Sequence, residues 1–223
     1  MDAIDMEISI MSNYEDCFSF CVENGQRLLE LKIVCSQRPP AICAQVYQMG
    51  NNDYRIYWNI GLTSIDYFHK IVDYYSPRMG DALSKMNINK AVTMAEHDNG
   101  FIRYVKQFTP VNEKVLKEHD MSLINAVINA DWGSSFVDRI IGLDGHRYYL
   151  KIDGRVPREY EVSPIIPPNM SEIFPLIKFI VEDVVQIKEE DRIFYMPSGT
   201  VQSPIIRENL QPLDIPSWMN NDN

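Results

Sequence analysis

The chain has 223 residues, 45% of them apolar and 23% charged, with 31 acidic against 21 basic side chains and a formal net charge of -10. Nine Phe, twelve Tyr and three Trp exclude a disordered chain, which lacks such side chains, and this length can bury a sizeable core without staples. Net acidity disfavours autonomous nucleic-acid binding and suits a basic partner.

The first residues, MDAIDMEISI, carry acids where a secretory signal needs basic residues. The strongest apolar run, Ile173 to Val181, is interrupted by Lys178 and is far shorter than the roughly 20 residues of a membrane span. A soluble, cytoplasmic protein is therefore expected. Four cysteines stand at 17, 21, 35 and 43. The Cys17–Cys21 spacing suits half a zinc ribbon, but Cys35 and Cys43 are too far apart for the other half. Small buried hydrophobes are the expectation, and no metal site.

Residues 12–25 admit two readings. Ser12 with Glu15 forms a capping box and Gly25 a helix stop, with Tyr14, Cys17, Phe18, Cys21 and Val22 on one face. Alternatively two strands join through Glu23-Asn24-Gly25-Gln26. The helix is preferred. Leu28–Val34 is a strand under either reading.

Arg38-Pro39-Pro40 breaks the chain. Strands follow at Ala41–Met49 and Tyr54–Ile60 around the turn Gly50-Asn51-Asn52-Asp53. Thr63 or Ser64 caps a helix whose apolar stripe is Ile65, Phe68, Ile71, Val72 and Tyr75, ended by Pro77. Pro77 can open a short helix with Met79, Leu83 and Met86. A hairpin is expected next: Ala91–Ala95, the turn Asp98-Asn99-Gly100, then Phe101–Phe108.

Asn112 starts a helix carrying Val115, Leu116, Leu123, Ile124, Val127 and Ile128, and Asp131 caps its successor to Ile141. Residues 146–153 and 158–162 read as strands. Pro164, Pro167 and Pro168 form a stiff linker. Ser171 caps a helix that is apolar nearly all round and therefore buried. A last strand spans Arg192–Met196. The sum is an α+β fold: a mixed or antiparallel sheet of about six to eight strands flanked by four to five helices. One domain covers 1–196, and an extended C-terminal arm covers 197–223.

The arm spaces Ile205, Ile206, Leu210, Leu213, Ile215 and Trp218 among prolines. That pattern suits strand addition or docking into a partner's groove. Residues 171–223 hold nine acids and four basic residues. A basic island lies just before them: Arg139, Arg147, Lys151, Arg155 and Arg158. Beside Tyr148, Tyr149 and Tyr160 it could grip phosphates and stack bases, or meet acidic segments of this chain or a neighbour.

Glu30-Leu31-Lys32 sits inside a strand, where alternation puts Glu30 and Lys32 on one face. With Asp16 fourteen residues earlier, this pattern resembles the core of the restriction-endonuclease-like superfamily over about residues 7–35. The resemblance implies a Mg²⁺-dependent nuclease in which Asp16 and Glu30 hold the metal and Lys32 stabilises developing charge. The plainer alternative is a solvated strand face with an ion pair. Glu96-His97-Asp98 and Glu118-His119-Asp120 repeat one triplet, without the spacing of a helical metal motif. The function expected from charge and arm is non-catalytic: an inhibitor or immunity-type factor, or a subunit of a larger assembly. The metal-dependent nuclease is the alternative.

Overall fold

In the computed structural model, residues 20–35, 40–50, 53–132, 146–162, 165–166, 168–197 and 199–200 are described. Six strands form one antiparallel sheet: β1 (Gly25–Cys35), β2 (Ile42–Met49), β3 (Tyr54–Ile60), β4 (Asn112–Val115), β5 (His146–Ile152) and β6 (Arg158–Val162). Their order across the sheet is β4-β3-β2-β1-β5-β6. The expected α+β class is the observed one.

Alternation along β1 divides the sheet into two faces. Leu29, Leu31 and Ile33 are fully buried on one, with Glu30 and Lys32 on the other. Each such apolar side chain contributes about 1.5–3 kcal/mol on burial. The apolar face packs against α5 (Glu118–Asn129) and α6 (Ile173–Lys178), the latter continuing as a π-helical segment, Phe179–Val184. Ile124, Val127, Ile173, Leu176, Ile177 and Ile180 are fully buried there.

A second core sits across the sheet. Four helices follow β3: α1 (Ser64–Met79), α2 (Asp81–Ser84), α3 (Ile88–Glu96) and α4 (Asn99–Lys106). Tyr67, Ile71, Tyr75, Ala95, Phe101 and Val105 pack with Ala41 and Cys43 of the β2 region. This is why β2 is buried on both faces.

Several expectations need correction. The helix over 12–25 does not hold at its end: residues 20–22 are irregular, Glu23-Asn24 turn with Asn24 at φ 64°, and Gly25 opens β1. Asn tolerates that left-handed geometry better than most residues. The rest of that segment lies outside the described residues.

The hairpin expected over 91–108 is a pair of helices. Asp98-Asn99-Gly100 resembles a hairpin turn, yet the Asp98 side chain accepts the Gly100 N–H at 2.7 Å and caps α4. Ala91, Val92 and Ala95, then Phe101 and Val105, recur at helical spacing. Asn112–Val115, expected inside a helix, is edge strand β4, and α5 begins six residues later.

α1 continues through Pro77 to Met79, although proline there forgoes its own bond to the carbonyl four residues back. Its buried face is rotated: Tyr67, Ile71 and Tyr75 are inside while Ile65 is 62% exposed. Ser171 does not supply a side-chain cap for α6. Arg192–Met196 is no strand: α7 (Glu189–Arg192) and a turn occupy it. A two-stranded parallel pair, β7 (Ile165–Ile166) with β8 (Gly199–Thr200), interrupts the expected proline linker and the start of the arm. The successor helix expected over 131–141 lies outside the described residues.

Candidate functional site

On the sheet face that carries Glu30 and Lys32, one chain of hydrogen bonds links β1, β2 and the residue that follows β5. The Arg27 guanidinium donates to Asp153 (2.6 and 3.4 Å) and to Glu30 Oε2 (3.0 Å). Gln45 Nε2 donates to the same Glu30 oxygen at 2.5 Å, and the Tyr47 hydroxyl donates to Gln45 Oε1 at 2.8 Å. Gln45 Nε2 also donates to the Phe20 carbonyl at 3.2 Å, which brings the segment before β1 over this face. The carboxylate of Asp153 raises the Arg27 pKa, and burial raises that of Tyr47.

Lys32 lies on the same face as Glu30, as alternation requires. Asp16 lies outside the described residues. Glu30 Oε2 accepts from both a guanidinium and an amide N–H, so the carboxylate is already partnered by a cation of the protein itself. Among the described residues no group of three or more His, Cys, Asp and Glu side chains could hold a metal ion.

The basic island is engaged largely within the domain. Lys151 pairs with Glu159 at 2.5 Å and Arg147 with Glu161 at 3.4 Å, both partners on β6. The Glu159 carboxylate raises the Lys151 pKa. Arg158 donates to the carbonyls of Ala130 (2.5 Å) and Ile128, and so caps the C-terminal end of α5, where a cation is favoured. Arg155 is exposed, and Arg139 lies outside the described residues. Of the tyrosines beside it, Tyr148 is fully buried, and Tyr160 packs edge-on against Trp132 with ring centroids 4.9 Å apart.

The repeated His triplets serve local geometry. His97 Nδ1 lies 2.8 Å from the Thr93 carbonyl, and Asp98 caps α4. His119 pairs with the buried Asp120 at 2.9 Å in the first turn of α5.

One outward-facing surface escaped the sequence reading. Glu189, Glu190 and Asp191 are exposed in the first turn of α7, and Ile193 and Phe194 follow at 74% and 49% exposure. This turn is anchored from beneath. Tyr195 is buried, its hydroxyl donates to the Pro40 carbonyl at 3.0 Å, and its own carbonyl accepts from the Tyr148 hydroxyl at 2.8 Å. Arg192 donates to the Ile187 carbonyl at 3.0 Å and meets Glu182 at 3.5 Å. Three acids and two large apolar side chains therefore share one rigidly based turn. An acidic triplet followed, after Arg192, by two large apolar residues was the available signal; the strand assignment hid it. The arm anchors Ile205, Ile206, Leu210, Leu213, Ile215 and Trp218 lie outside the described residues.

No family model, curated protein or solved structure matches this chain. No described helix is long and apolar enough to cross a membrane.

Proposed function

We propose that this chain is a non-catalytic interaction protein, an inhibitor or a subunit of an assembly, that meets a basic surface on another protein. The supporting observation is the α7 turn, where Glu189, Glu190 and Asp191 stand beside exposed Ile193 and Phe194. Apolar contact supplies binding energy at such a surface, while the acids steer the encounter and select a partner of opposite charge. The arm that follows adds further apolar anchors from Ile205 to Trp218.

The test is affinity capture of the full chain from its native cells beside two variants. One carries Glu189→Lys, Glu190→Lys and Asp191→Lys; the other carries Ile193→Asp. The reading expects a stoichiometric partner with a basic surface, retained by the parent chain and lost from both variants. A partner held equally by all three chains would sink it.

The nuclease alternative keeps one supporting feature, the shared face of Glu30 and Lys32. Mg²⁺ held there would share the Glu30 carboxylate with the Arg27 guanidinium and the Gln45 amide, both of which donate to Oε2. Mg²⁺-dependent cleavage abolished by Glu30→Gln in a folded protein would reinstate that reading.

A further inference from the structure

α1 carries more apolar surface than its core uses. Tyr67, Ile71 and Tyr75 are buried, while Ile65 stays 62% exposed and Phe68 and Val72 are only half-buried. Phe68 and Val72 form one wall of a groove of about 280 Å³. Leu83, Met86 and Ile88, all half-buried on the segment from α2 to α3, form the other. A cavity of about 150 Å³ between such side chains takes a benzene ring, so this groove has room for a phenylalanine side chain.

The groove also lies in the least acidic part of the chain. From Thr63 to Phe108 there are six basic and five acidic side chains, within a chain of net charge -10. Residues 81–91 hold Lys85 and Lys90, both exposed, against Asp81 alone. Of the acids on α1, Asp66 accepts from the Thr63 hydroxyl and Asp73 lies 3.8 Å from Lys70. An acidic, apolar partner is repelled less here than elsewhere on the molecule.

The α7 turn has that character. Glu189, Glu190 and Asp191 stand beside Ile193 and Phe194, which are 74% and 49% exposed and therefore fill no groove of their own copy. The turn is rooted through Tyr195 in the core that contains α6, whereas the groove belongs to the core across the sheet.

We propose that the groove receives the α7 turn of a second copy of this chain, with Phe194 seated between Phe68, Leu83 and Met86 and the acids facing Lys85 and Lys90. The inference rests on the interaction reading and names its partner: the less acidic surface is the chain's own helical layer. Because the two surfaces differ, each contact leaves a turn unused at one end and a groove at the other. Copies then add head to tail, into a ring or an open filament.

The experiment is sedimentation velocity of the purified full chain from micromolar to millimolar concentration, beside three variants. The parent should self-associate. Phe194→Asp spoils the turn and Leu83→Asp the groove, and each variant alone should associate at least about tenfold more weakly, as loss of a central apolar contact requires. Mixed, these two variants should give one-to-one dimers and nothing larger, since each supplies the surface that the other lacks. Lys85→Glu with Lys90→Glu changes exposed side chains only and should weaken association too, which keeps the groove testable if Leu83→Asp fails to fold. A parent that stays monomeric would overturn the proposal, as would association that survives Phe194→Asp. So would a monomeric parent that associates only after Leu213→Asp and Trp218→Asp, which would assign the groove to the chain's own arm. A monomeric parent that still captures a different basic protein through α7 would leave the interaction reading standing and sink only the self-assembly.

Discussion

The Tyr75 hydroxyl donates to Asp98 Oδ2 at 2.8 Å while Asp98 Oδ1 accepts the Gly100 N–H at 2.7 Å. One carboxylate thus ties α1 to α4 and caps α4 at the same time. The Tyr75 hydrogen bond holds the Asp98 pKa below its ordinary value, and burial followed by the Asp98 contact raises that of Tyr75. Asp98→Ala removes a cap worth about 0.5–2 kcal/mol together with the interhelical bond. Because the folded pKa is depressed, this stabilisation is present above the unfolded value near ~3.9 and fades as pH falls through the folded one. Urea unfolding should show a steady gap between parent and variant from about pH 5 to 8, narrowing below about pH 4. A gap of the same size at about pH 2 would count against the assignment.

The rotated face of α1 gives a paired prediction. Ile71 is fully buried and Ile65 is 62% exposed. Ile71→Ala should cost about 2–5 kcal/mol. Ile65→Ala should stay within about 0.5 kcal/mol. Denaturant melts of the two variants distinguish this face from the stripe read in the sequence, which would make both changes costly.

Cys43 is fully buried between β1 and β3, and desolvation pushes its thiol up to about 12. Cys21 is exposed. Thiol-specific labelling followed by peptide mapping should find Cys21 modified early and Cys43 only at the rate of unfolding, since the thiolate is the reactive form. An unfolded thiol ionises near ~8.5. Above that pH the unfolded state binds fewer protons than the folded state, so stability falls as pH rises. Cys43→Ala should lower stability at pH 7 and flatten its decline between about pH 8.5 and 11. An alkaline decline equal in slope to that of the parent would exclude a contribution from Cys43.

Tyr148 reaches from β5 to the base of the α7 turn through its 2.8 Å bond to the Tyr195 carbonyl. Tyr148→Phe leaves that carbonyl without this donor, at a cost of about 1–3 kcal/mol. The loss should also be local. Amide exchange at residues 193–196 should accelerate beyond what the global destabilisation accounts for. Uniform acceleration over the whole chain would mean that Tyr148 does not specifically support this surface.

The strands at 28–34, 54–60, 146–152 and 158–162, the α+β class and the burial of the 173–181 run were legible in the sequence. Two-residue alternation and continuous apolar runs are local properties, and they survive whatever packs against them. Glu30 and Lys32 were correctly placed on one face for the same reason. The helices over 88–106, the strand at 112–115, the continuation through Pro77 and the turn at 193–195 were decided by tertiary structure. Asp-Asn-Gly serves a hairpin or a helix cap equally well; helical packing on Ala41 and Cys43 selects the cap. NEKV has weak preference of its own and becomes a strand because it pairs with β3. The roles of charged residues were likewise settled only in three dimensions. Arg147 and Lys151 meet acids on β6, and Arg158 meets carbonyls at the end of α5. Composition determines how many charges a chain carries, while folding decides their partners, because electrostatic pairing depends on distances between groups far apart in sequence.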